Sequence, residues 1–163
     1  MEHSPHIDGV VRSFEREMAL VDRHRSAEKL DEVATALRDA ESIIGPSHTF
    51  DHMWAKLSNQ YLFLGERNRA RDIIDEIESP VAYMEAYHNL YEAGEIEYRD
   101  LMKLGVRTAL EQDEPEQERE VLLRLKVWSK DAPDRVMANQ IVCLHERAHQ
   151  RWRQSLRANG EVA

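Results

Sequence analysis

A chain of 163 residues with 31 Asp and Glu against 22 Lys and Arg carries a formal net charge of −9. Its 42% hydrophobic residues are enough for a packed core and too many for a wholly disordered chain. The apolar runs are a few residues long, so no segment reads as a bilayer span, and the negative charge disfavours nucleic acid as a partner.

The N-terminal stretch MEHSPHIDGVV lacks the basic start and continuous apolar run of a secretory signal. A first helix follows from Ile7, Val10, Val11, Phe14, Met18 and Val21, which recur at helical spacing. Ser26 is the expected N-cap of a second, carried by Leu30, Val33, Ala34, Leu37, Ala40 and Ile44 up to Gly45-Pro46. Trp54, Leu57, Tyr61 and Leu64 then run to Gly65, and Ala70, Ile73, Ile74 and Ile77 run to Pro80. Tyr83, Ala86, Tyr87 and Leu90 lead to Gly94, and Tyr98, Leu101, Met102 and Leu104 follow. Gly105 is expected to end or kink that helix, since glycine in a helix interior costs about 1 kcal/mol relative to alanine.

Glu111 to Glu120 holds six acids and one base, and reads as a solvated connection around Pro115. Val121, Leu122, Leu125 and Trp128 form the next stripe, and a last helix is expected from about Pro133 to Arg157. Within it the lone cysteine, Cys143, sits in the apolar string IVCLH and reads as a small buried thiol. One cysteine makes no internal disulfide, which fits a cytoplasmic location. The expectation is all-α: eight helices paired as four antiparallel hairpins, at about 7–44, 49–79, 81–111 and 116–157, in one domain spanning 1–163.

Pro46 to Pro80 is 34 residues and Pro80 to Pro115 is 35, a near-regular beat that signals a repeat. In residues 51–80, Trp54, Leu57 and Tyr61 share a helical face, Gly65 turns the chain, Ala70 is small where a second helix must approach, and Pro80 closes the unit. This pattern resembles a tetratricopeptide repeat. It departs from the family in carrying Ser58 where a small glycine is usual, and its closing proline falls two residues early. The flanking units share less of the pattern: Met18, Val21, Ala34 and Pro46 before it, and Tyr83, Ala86, Leu90 and Gly94 after it. The resemblance implies a right-handed α-α superhelix, a solenoid of about four hairpins whose first helices line a concave groove.

In that frame His52, Lys56, Asn59 and Phe63 would face the groove from one unit, and Met84, His88 and Tyr91 from the next. Trp54, Tyr61, Tyr83 and Tyr87 would set helix packing. The family's carboxylate-gripping version uses a Lys and Asn set, and Ala55 and Glu85 stand at two of the positions where it would need them. The resemblance therefore implies an adaptor for a peptide or protein partner, with no cofactor and no membrane, and with self-association as a further alternative.

A rival reading is metal-based. His145-Glu146-Arg147-Ala148-His149 fits H-E-x-x-H, in which two histidines one turn apart bind zinc and the glutamate is a general base. Against a zinc hydrolase, Arg147 interrupts a helix that is usually apolar, and Glu161 is the sole carboxylate after His149. Glu85-x-x-His88 with Glu146-x-x-His149 would supply half of a di-metal carboxylate bundle, with Asp51, Glu116 and Glu118 as the remaining candidates. His48 and His52 share i, i+4 spacing, and beside Pro46 they read as decorating a helix start.

Overall fold

The computed structural model describes residues 5–46 and 48–160. Eight α-helices follow one another: α1 (Pro5–Ser26), α2 (Leu30–Ile44), α3 (Asp51–Leu64), α4 (Arg67–Asp75), α5 (Pro80–Glu92), α6 (Tyr98–Leu110), α7 (Pro115–Trp128) and α8 (Arg135–Ala158). A short 3-10 turn, His48–Phe50, leads into α3, and no strand occurs among the described residues. The all-α expectation holds, and every expected helix is present. Backbone contacts divide the chain into two compact units, residues 1–86 and 87–163, with the division falling inside α5.

In the first unit each helix packs on the next, α1 on α2, α2 on α3 and α3 on α4. Phe14 and Val21 from α1 join Val33, Leu37 and Ile44 from α2, Leu57 and Tyr61 from α3, and Ala70 and Ile73 from α4 in one buried cluster. Ala70 is fully buried, so its methyl is what lets α4 approach α3 closely. Gly65 closes α3 in the left-handed conformation at φ 87°, where a side chain would be strained, and the amides of Gly65 and Glu66 return to Leu62 and Tyr61.

In the second unit α7 packs against both α6 and α8. Leu101, Met102 and Ala109 of α6, Val121, Leu122 and Leu125 of α7, and Ala138, Ile141 and Ala148 of α8 are all buried. Pro115 opens α7 at its first turn, where the missing amide is not needed. The Asp134 carboxylate caps α8, accepting from the Met137 amide at 3.0 Å.

Four local expectations change. Ser26 ends α1 instead of capping α2: its hydroxyl donates back to the Asp22 carbonyl at 2.9 Å, and Lys29 stands at the α2 N-cap. Gly105 neither ends nor kinks α6. It is buried inside the helix, and a Cβ there would lie 2.4 Å from Leu125 Cδ2, so its bare backbone is what admits α7. Cys143 is exposed, two residues from buried Ile141 and hence on the other side of α8. The acidic stretch is half helical, since α7 takes it over from Pro115.

Candidate functional site

The outward face of α3 carries four side chains at i, i+4, i+7 and i+11. His52, Lys56 and Phe63 are exposed and Asn59 is half-buried. The opposite face is consumed by the core through Ala55, Leu57, Ser58 and Tyr61. Helical periodicity thus separates a packing stripe from an accessible one, about 16 Å from end to end at 1.5 Å per residue. His52 Nδ1 lies 3.4 Å from Glu85 Oε2, which fixes one end. At the other, Phe63 is 67% exposed, and the Arg25 guanidinium sits 5.1 Å from its ring centroid. One Arg25 nitrogen, Nη2, and the side-chain amide oxygen Oε1 of Gln60 are buried without a hydrogen-bond partner among the described residues.

The three positions expected from the next repeat behave differently. Met84 is wholly buried and belongs to the packing of α5, where Ala82 and Ala86 are buried too. A helix that buries residues two apart is enclosed on more than one side, which leaves Met84 no route to a ligand. His88 is half-buried and stacks on Trp128, with centroids 4.3 Å apart and planes inclined by 11°. Tyr91 is tilted against His88 at 6.2 Å and Tyr98 at 6.1 Å. Both rings therefore have packing partners. Burial lowers the His88 pKa from its ordinary value, and the neighbouring Glu92 opposes the shift.

Two polar anchors hold α3, and sequence reasoning assigned them no such role. Asp51 is 3% exposed, and its Oδ2 accepts from the amides of Glu78 at 3.0 Å and Ser79 at 2.7 Å, tying the start of α3 to the α4–α5 connection. Glu41 of α2 accepts from the Tyr61 hydroxyl and from Arg69, joining three helices at one carboxylate. Burial and then this bond to Glu41 push the Tyr61 phenol well above its usual range. The bond to Glu41 likewise raises Arg69. No spacing rule identifies either carboxylate, because each acts on partners far along the chain.

The metal candidates assemble poorly. His145 and His149 lie one turn apart on α8 with ring centroids 6.1 Å apart, followed by His149 on Trp152 at 5.4 Å and Arg119 4.2 Å from the Trp152 centroid. His145 Nε2 is buried with no hydrogen-bond partner among the described residues. Burial, then Lys126, His149 and Arg119, lower its pKa, while Glu146 works the other way. Cations around an imidazole repel a metal ion as they repel a proton. Among the described residues no group of three or more His, Cys, Asp or Glu is placed to hold a metal. Glu161 lies outside the described residues. Of the remaining di-metal candidates, Glu118 pairs with Arg151, Glu85 meets His52, and Asp51 is engaged as above. Glu116 is exposed. His48 lies 3.5 Å from Asp51 and 3.3 Å from Glu78 in ion-pair geometry.

No family model, curated protein or solved structure matches this chain. No helix among the described residues is long and apolar enough to cross a membrane.

Proposed function

We propose that this chain is a protein-interaction module of the tetratricopeptide-like kind. Its four hairpins would form a short right-handed superhelical array, and a peptide or protein partner would lie along α3. The observation that carries the reading is the stripe His52, Lys56, Asn59 and Phe63, accessible along a helix whose other face is wholly committed to the core. Nearest-neighbour packing of α1 to α4, buried Ala70 and the Gly65 turn support the repeat assignment. Phe63 offers the kind of aromatic anchor that dominates binding energy at interfaces, with Lys56 and Asn59 as polar contacts beside it.

The test is a variant with Lys56→Glu, Asn59→Ala and Phe63→Ala. None of the three belongs to the buried core, so the thermal unfolding midpoint should stay within a few degrees of wild type. Binding to a partner identified by co-purification should fall about tenfold or more, the loss of one aromatic anchor alone being worth roughly 1.4 kcal/mol or more. Undiminished binding by the folded variant would rule out α3 as the contact surface. The array arrangement makes no difference to that outcome.

A further inference from the structure

A cavity of about 530 Å³ opens within residues 41–76, and its lining shares no residue with the α3 stripe. It lies among the end of α2, the first turn of α3 and the length of α4. One wall is apolar, made by Trp54, Ile73 and Pro46. The Trp54 indole is held in place by its Nε1, which donates to the Gly45 carbonyl at 3.2 Å. A volume of this order falls within the roughly 300–1,000 Å³ of small-molecule sites, and a fixed aromatic wall is what such sites use to hold organic groups.

The charge around that wall is unbalanced. Glu41 and Arg69 satisfy one another, buried Asp51 is taken up by backbone amides, and His48, which also lines the cavity, sits between Asp51 and Glu78. Asp72 of α4 and Glu76 just past its end remain, four residues apart, both exposed and both lining the cavity. Neither carboxylate has a hydrogen bond or ion pair within the described residues. A cavity with an indole wall and two uncompensated carboxylates rejects anions. It also suits a bare metal ion poorly, since the wall of Trp54, Ile73 and Pro46 offers no side-chain oxygen ligand. A cation on a carbon stem matches both halves: its charged head meets the carboxylates, and its methylenes and π-facing edge meet Trp54 and Ile73.

We propose that this cavity is a binding site for an alkylguanidinium or alkylammonium group, supplied either by a free small amine or by an arginine or lysine of a partner protein. The site is separate from the α3 contact surface, so either can fail without the other.

Calorimetric titration at low ionic strength tests it, with agmatine as the free cation and a capped Gly-Arg-Gly peptide as the protein-borne one. Agmatine should bind saturably at one site per chain. The Asp72→Asn/Glu76→Gln double variant, neutral in shape and altered at exposed positions, should weaken it about tenfold or more, whereas Glu15→Gln/Asp22→Asn on α1, an equal change in charge, should leave it unaltered. Peptide binding with the same dependence on Asp72 and Glu76 assigns the source to a partner's side chain, and agmatine binding without peptide binding assigns it to a diffusible amine. Either result supports the site. Absence of saturable agmatine binding overturns the proposal. So does an affinity that survives D72N/E76Q, or one that falls equally in the α1 control.

Discussion

His145 shows how one side chain can carry a condition for stability. Its Nε2 is buried without a hydrogen-bond partner among the described residues, and the charged or titratable groups facing it are Lys126 and Arg119 from α7 with His149 and Glu146 from α8. His88, stacked on Trp128, is likewise shifted down by burial. A histidine whose folded pKa lies below its unfolded value of about 6.5 stabilises the fold in its neutral form. The unfolded chain then binds protons more readily, so the stabilising contribution is complete above about pH 6.5 and is lost as the pH falls below it. Urea unfolding between pH 7.5 and pH 5 should therefore show falling stability. A His88→Gln/His145→Gln variant should flatten that dependence; an unchanged pH profile in the variant would mean these rings do not carry it. Asp51 is the opposite type of residue, a buried carboxylate whose two backbone bonds leave it satisfied.

Among elements, the contact of α6 with α7 turns on Gly105. Replacing it with alanine gains about 1 kcal/mol of helix propensity. The new methyl must displace the fully buried Leu125 side chain, and overpacking of that kind costs about 1–3 kcal/mol. The expected result for Gly105→Ala is a net loss of about 1 kcal/mol in chemical denaturation, and a gain in stability would show that Leu125 repacks freely.

The same glycine marks where sequence reasoning stops. The end of α3 at Gly65 and the breaks before Pro80 and Pro115, which open α5 and α7, are legible because those residues act on their own backbone, and a breaker needs no tertiary partner to be recognised. Gly105 acts on a residue twenty positions away, so a local rule reads it as a break. The α1–α2 turn was misread for a related reason. It is made by Glu28 at φ 56°, a conformation that usually advertises itself with glycine or asparagine. With no such signal, local rules point to Ser26 as the cap. Within the candidate site, α3 was legible because a 3.6-residue period sorts its faces. Met84 was not, since α5 buries residues on more than one side and period alone cannot say which face stays open.

At the scale of the whole molecule, chemistry and contact surfaces are unevenly distributed. The first unit holds the α3 stripe and the acidic cavity. The second holds the aromatic and histidine stacks, and an arginine-rich stretch of α8 in which Arg147, Arg151, Arg153 and Arg157 occur without an intervening acid. Of these, Arg151 is drawn back onto Glu118 of α7. The net −9 is therefore a sum over unlike regions. The functional reading depends on one of them: an exposed aromatic and its polar neighbours on a helix that the core holds rigid from behind.

Site-specific photo-crosslinking tests that reading most directly. A photoreactive phenylalanine analogue would be placed at Phe63 in one preparation and at exposed Val136 of α8 in another, each irradiated in extract from the source cells. A discrete crosslinked partner is expected from position 63, lost when Lys56→Glu and Asn59→Ala are added, and no such product from position 136. Crosslinking of the same partner from position 136, with none from 63, would contradict it.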